Sequence, residues 1–159
     1  MIERGGTLAS FAALDVHNGQ VIGRCAPKTG IEPFSELVAQ VMSREPYASA
    51  RRVFWVVDNG SSHHGTRSVQ RMSDAFPNAT LVHLPVHASW INQIEIFFSI
   101  VRRKVVKPQD FPDLQTLQQR LLAFQERDNH NAEPFDWRYT RKDLNNYLAR
   151  LAAHENNAA

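Results

Sequence analysis

The stretch that decides the fold of this 159-residue chain is Val53-Phe54-Trp55-Val56-Val57-Asp58-Asn59-Gly60. Its first five residues are apolar without alternation, which predicts a strand buried on both faces and central in a parallel sheet. Asp58 follows that strand at its carboxyl end, where open α/β sheets bind their ligands. Because Asp and Asn also favour turns, these residues alone leave two interpretations of Asp58 open, a ligand and a cap of the following loop.

The flanking segments predict an antiparallel start followed by βαβ units. We predict strands over 8–16, 20–24, 51–57 and 80–84, and helices opening at Pro33, over 66–75, over 89–105, near Pro112 and after Thr140. An Asn-Gly pair, Asn18-Gly19, predicts the turn between the first two strands. This order predicts an α/β protein, a mixed sheet flanked by helices, in a single domain spanning 1–159.

Composition narrows the class of protein without deciding its function. The single cysteine, Cys25, excludes an internal disulfide and a cysteine-rich zinc site, and it fits a reducing cytoplasm. No apolar run reaches the roughly 20 residues that cross a bilayer, so we expect no membrane association. A formal net charge of +2 is too small to argue for nucleic acid by itself. We expect Trp55 and Trp137 in the core, and Trp90 packed at the start of a helix.

A second acidic residue, Glu95, stands among apolar neighbours on the predicted helix over 89–105. Ile91, Ile94 and Phe98 recur at helical spacing, and Glu95 borders this stripe. Asn92 lies one turn before Glu95 and can share its face. The ordinary interpretation is a solvated carboxylate on the edge of an amphipathic helix. The alternative is a metal ligand, because two carboxylates from distant segments can share a divalent cation.

Two segments carry a resemblance to a known family. They are Trp-Val-Val-Asp-Asn-Gly-Ser-Ser-His-His at 55–64 and Leu-Pro-Val-His-Ala-Ser-Trp-Ile-Asn-Gln-Ile-Glu-Ile-Phe-Phe at 84–98. Both resemble motifs of DDE transposases from bacterial insertion sequences, in the mariner-like group, and the 36 residues between Asp58 and Glu95 fit the spacing of that family's second and third acids. The resemblance implies an RNase H-like fold and a bacterial cytoplasmic protein that acts on DNA at the nucleoid.

The resemblance also implies roles for individual residues. Asp58 and Glu95 become catalytic ligands of Mg²⁺ or Mn²⁺, with Asn59, His63 and Asn92 touching the ligands or the substrate. Basic residues beyond Glu95 suit contact with DNA phosphates, although a solvated helix face is the ordinary alternative. These basic residues are Arg102, Arg103, Lys104 and Lys107.

The chain departs from the family pattern at its start. In that family the first acid lies on an opening strand, which here has no counterpart before the strand over 8–16. We therefore expect a truncated catalytic portion with an open sheet edge beside 51–57, completed by a homodimer partner or an upstream transposase fragment. Asp15 is the possible third acid, if the hairpin shifts toward Asp58 and Glu95.

Two functions follow from different classes of protein. The first is DNA strand cleavage and transfer by two-metal phosphodiester chemistry, impaired because one acid of three is missing. The second is a non-catalytic DNA-binding or oligomerising remnant that modulates an intact transposase. A nuclease of the same fold would share every feature of the first.

Overall fold

The fold is that of a computed structural model of the chain, which describes residues 6–60, 64–108 and 110–157. It is α/β, as predicted. Its elements are β1 Ala9–Leu14, β2 Val21–Ala26, α1 Ile31–Met42, β3 Val53–Val57, α2 Thr66–Ala75, β4 Ala79–His83, a 3₁₀ turn Ser89–Ile91, α3 Ile94–Val101, a π-helical segment Arg102–Val106, α4 Leu114–His130 and α5 Arg141–Asn157. Among the described residues, no helix is both long and apolar enough to span a bilayer.

The strands form two separate pairs instead of one mixed sheet. β1 and β2 pair antiparallel, and β3 and β4 pair parallel. Within the described ranges no ladder joins β1 to β3, so β3 has the open edge that the sequence predicted. Two-stranded pairs are marginal in isolation, and here each depends on the helices packed against it.

Burial of β3 differs from the sequence prediction. Trp55 and Val57 are buried, but Phe54 and Val56 are 61% and 50% exposed. The prediction of a strand buried on both faces was therefore wrong for this chain, because helices α1 and α2 cover only one face of the parallel pair. Apolar residues on the other face of β3 remain in contact with water.

Two hydrophobic clusters hold the elements together. The first joins α1, α2 and both strand pairs, and it contains the predicted core residue Trp55, whose indole Nε1 donates to Met42 Sδ at 3.5 Å. The second joins β1 and β2 to α3 and α4. Its buried members are Val21, Phe97, Val101 and Phe124. The helix layers thus cover both faces of the hairpin and one face of the parallel pair.

Helix ends follow local sequence signals closely, with two exceptions. Asp113 accepts from Thr116 N at 2.6 Å at the start of α4, and Thr140 and Asp143 form the predicted capping box at α5. The first exception is α1, which begins at Ile31, two residues before the predicted start at Pro33. The second is the helix predicted from 89, which is only a 3₁₀ turn until α3 begins at Ile94. Trp137, predicted in the core, is half-buried against Tyr139.

Candidate functional site

The site lies at the carboxyl edge of the parallel pair. Because β3 and β4 run in the same direction, their carboxyl ends lie side by side, and Asp58 and His83 stand there. Two hydrogen bonds join the segments beyond the strands: Leu84 N donates to Val57 O at 2.8 Å, and Asn59 Nδ2 donates to Leu84 O at 2.9 Å. Asn59 therefore positions the loop that carries Asp58.

Asp58 is half-buried directly after β3. Its Oδ1 accepts from Gly60 N at 3.0 Å, which is the turn bond that an aspartate favours at such a place. This bond uses one lone pair of one carboxylate oxygen and fixes the carboxylate at the strand end. The turn interpretation and the ligand interpretation are thus compatible, because a carboxylate has two oxygens with four lone pairs.

Glu95 lies in the first turn of α3 and is exposed. Phe97 and Val101 anchor the opposite side of that helix in the second cluster. Asn92, half-buried in the link before α3, accepts from Glu95 N through its backbone carbonyl at 3.0 Å. The carboxylate of Glu95 is therefore accessible to solvent ions on a helix whose position is set by buried aromatic and aliphatic contacts.

Histidines border the same edge. The ring centroids of His64 and His83 are 6.1 Å apart in an edge-to-face arrangement, and Ser68 Oγ donates to His64 O at 2.9 Å. His63, the histidine assigned to the site from the sequence, lies outside the described residues. His83 was not assigned to the site from the sequence, and its position at the end of β4 is what places it here.

Asp15 is in a different place. It follows β1 and organises the hairpin turn: its carboxylate accepts from His17 N at 2.9 Å and from Tyr47 Oη at 2.7 Å. Asn78 Nδ2, just before β4, donates to the carbonyl of Tyr47 at 3.0 Å. Asp15 is therefore tied to the amino end of the parallel pair. The hairpin does not bring it to Asp58, which stands at the carboxyl end.

A prediction follows for Tyr47. Burial, together with the hydrogen bond to the Asp15 carboxylate, raises the pKa of the Tyr47 phenol to about 12. The folded chain therefore keeps the phenolic proton at a pH where the unfolded chain has lost it, so this contribution to stability is complete below pH 10 and declines as the pH rises toward 12. We expect Tyr47→Phe to cost about 1 kcal/mol at neutral pH.

The measurement is urea denaturation of wild type and Tyr47→Phe at pH 7 and at pH values above 10. The stability difference between the two proteins is expected to shrink at alkaline pH. A difference that stays constant over this range would show that the Tyr47 hydroxyl does not hold its proton through Asp15.

The basic residues continue the helix that carries Glu95. Arg102, Arg103 and Lys104 lie on the π-helical segment and are exposed, and exposed Lys107 closes it by donating its N–H to Arg102 O at 2.9 Å. At 1.5 Å per residue, Arg102 lies about 10 Å along the helix from Glu95, on nearly the same face. A cationic stretch thus extends from the Glu95 turn.

A family model described as DDE superfamily endonuclease matches residues 1–118, about three quarters of the chain. The chain belongs to this superfamily. No curated protein and no solved structure matches it. The matched region of this DDE endonuclease chain contains Asp58, Glu95 and the basic segment, whereas most of α4 and all of α5 lie beyond it. DNA is the substrate of this superfamily, which typically uses divalent metal ions.

Proposed function

We propose that the chain is the catalytic portion of an insertion-sequence transposase of the mariner-like group, acting in DNA strand cleavage and transfer. The observation that carries this proposal is the position of Asp58, half-buried at the carboxyl edge of a parallel strand pair inside the region that the DDE model matches. That edge is where α/β sheets bind ligands.

The donor set suits a hard divalent cation. Asp58 and Glu95 supply carboxylate oxygens, the ligands that Mg²⁺ and Mn²⁺ prefer. When bound, the metal would activate a water or a DNA 3′-hydroxyl and stabilise the leaving oxygen. Asp58 and Glu95 would hold it, and Asn59 would keep the Asp58 loop in place through its bond to Leu84 O.

A third acid is required to complete such a site. Within the described parts of the chain, no three His, Cys, Asp or Glu side chains are grouped closely enough to hold a metal ion. We therefore propose that the chain alone is a poor catalyst, and that an acid from outside these residues completes the site. The lack of a third acid among the described residues, together with the exposed apolar surface of β3, favours the second candidate function. That function is a remnant that assembles with an intact transposase, an upstream transposase fragment or a homodimer partner.

The substrate contacts that we propose are electrostatic. Arg102, Arg103, Lys104 and Lys107 would neutralise phosphates of a DNA strand whose reacting phosphate lies at Glu95, since all four are exposed on or just after the same helical segment. Asn92 and His63 would touch the same strand or the metal ligands. These contacts position the backbone and carry no sequence information.

Metal binding tests the proposal directly. At Mn²⁺ concentrations about tenfold above Kd, wild type is expected to gain ~1.4 kcal/mol of stability, because the ion binds the folded chain only. That gain corresponds to a rise in Tm of roughly 3–5 °C for a chain of this size. Asp58→Asn and Glu95→Gln should each remove most of it, measured by thermal unfolding with and without Mn²⁺.

Matched controls separate this effect from general charge loss. Asp128→Asn and Glu126→Gln remove exposed carboxylates on α4, and both variants should keep the full Mn²⁺ response. An undiminished response in Asp58→Asn and in Glu95→Gln would place the metal elsewhere and overturn the assignment of both residues.

A further inference from the structure

The loop between β4 and α3 holds one residue in a costly backbone conformation. His87 has a φ of 64°, in the left-handed region that residues other than glycine seldom adopt. Such a conformation persists only where the surrounding contacts hold it. Ala88, the next residue, is fully buried, and its N–H donates to Pro85 O at 3.1 Å. The loop is therefore anchored at its middle, and its shape on either side of Ala88 depends on further contacts.

Tyr147 on α5 supplies two of these contacts. Its Oη donates to the carbonyl of His87 at 3.1 Å, across 60 residues of sequence. Its ring also lies edge to face against Trp90, with the two ring centroids 5.3 Å apart. One tyrosine thus contacts the loop on both sides of the buried Ala88.

Tyr139 contacts Trp90 as well. The centroids of these two rings are 5.0 Å apart, again in an edge-to-face arrangement. The capping box of Thr140 and Asp143 fixes the start of α5 directly after Tyr139, and Tyr147 lies one helical turn beyond Asp143. The start of α5 therefore holds both tyrosines in place, and Trp90 packs between them.

Two short hydrogen-bonded turns link Trp90 to Glu95. Ile91 N donates to Ala88 O at 3.1 Å across Trp90, and Glu95 N donates to Asn92 O at 3.0 Å. The rest of α3 is fixed separately by its buried side chains in the second cluster. The direction in which the first turn of α3 presents Glu95 therefore depends on the loop before it.

We propose that Tyr139 and Tyr147 are positioning residues for Glu95. By holding Trp90 and the His87 carbonyl, they set the start of α3, and the Glu95 carboxylate reaches the metal from that position. This inference rests on the proposed function, which assigns Glu95 as a metal ligand. Both tyrosines lie beyond the region 1–118 that the DDE model matches, so a part of the chain outside the family match shapes the site.

Amide hydrogen exchange tests the positioning without metal. Tyr147→Ala removes the ring and the hydroxyl together, and it is expected to speed exchange at Glu95 and Ile96 by on the order of tenfold or more. These two amides donate to the carbonyls three positions before them, at the start of α3. Exchange at Val101, which is buried at the other end of this helix, should stay unchanged.

Mn²⁺ affinity tests the consequence for the site, with Kd taken from the dependence of Tm on Mn²⁺ concentration. Tyr147→Ala is expected to raise Kd about tenfold, the usual effect of removing a group that orients a metal ligand. Tyr139→Ala leaves the hydrogen bond to His87 in place and should raise Kd less. Tyr147→Phe keeps the ring against Trp90 and loses only that bond, so its Kd should lie between those of wild type and Tyr147→Ala.

Tyr47→Phe is the matched control. It also removes one phenolic hydrogen bond and lowers stability, but it does so beside Asp15, at the amino end of the parallel pair. It should therefore keep the wild-type Kd. If Tyr139 and Tyr147 only stabilised the fold, their alanine variants would behave in the same way, with a lower Tm in the absence of Mn²⁺ and an unchanged Kd.

The outcomes separate this inference from the proposed function. An unchanged Kd in both alanine variants, where Glu95→Gln removes the Mn²⁺ response, would overturn the inference and leave the proposed function standing. A wild type that does not respond to Mn²⁺, or a response that survives Glu95→Gln, would instead contradict the assignment of Glu95 to the metal. In that case unchanged exchange at Glu95 and Ile96 in Tyr147→Ala would show that the tyrosines do not position the start of α3 either.

Discussion

Replacement of Glu95 by glutamine is expected to lower the rate of DNA strand cleavage by on the order of 10³-fold, since it removes a charged metal ligand and leaves a neutral group of the same size. Asp58→Asn should have an effect of similar magnitude. The parent protein for this comparison is the chain supplied with an Asp-bearing strand, because the described residues of the chain hold no group of three acids. The chain alone is expected to cleave near background.

The assay measures nicking and strand transfer of a labelled duplex in Mn²⁺. Glu126→Gln is the control for Glu95→Gln, since its carboxylate is exposed on α4. Activity of Glu95→Gln within a few-fold of its parent would remove Glu95 from the site. Activity of the unsupplemented chain that persists after Asp15→Asn would show that the described acids suffice, and that the account of a missing ligand is wrong.

Local sequence signals predicted the elements well because each is decided by residues close together in the chain. Helix α2 begins and ends at the predicted residues, and the capping box of Thr140 and Asp143 spans three positions. The carboxyl end of β3 was predicted for the same reason, since an apolar run followed by Asp58 is a local pattern. The family motifs then assigned Asp58 and Glu95 to one site. Hydrophobic periodicity predicts helices and strands, and it could not relate two residues in distant segments.

Such local signals could not predict contacts between residues that are far apart in the sequence. The exposure of Phe54 and Val56 depends on which helices cover β3, and nothing within the strand encodes that. Asn129 closes the edge of β2 from 108 residues away, a role without any local pattern. Trp90, expected to pack a helix start, is 46% exposed between Tyr139 and Tyr147, whose ring centroids lie 5.0 and 5.3 Å away.

The two strand pairs differ in what they carry and in what holds them in place. The β3–β4 pair carries the candidate acid Asp58 at its carboxyl edge. The β1–β2 pair is held by Asp15 in its turn and by the side-chain amide of Asn129 at the outer edge of β2. Both depend on α1 for a shared core.

Gly19→Ala is expected to destabilise the chain by about 3 kcal/mol. Gly19 lies in the hairpin turn at a φ of 75°, a left-handed conformation that costs a side chain about 1 kcal/mol. A Cβ at this position would also overlap the backbone of Glu133, and relieving such an overlap costs roughly 1–3 kcal/mol more. The turn and the segment after α4 would have to separate.

Gly65→Ala is the matched control for this prediction. Gly65 has a similar φ of 81°, with a ψ of 174°, but a Cβ there meets no atom within 4 Å, so the substitution should cost only the backbone strain, about 1–2 kcal/mol. Urea denaturation of both variants gives the two costs, provided their m-values agree. Equal costs would mean that the Glu133 backbone yields freely, and that the bonds of Asn129 to Val21 do not hold the end of α4 rigidly against the hairpin.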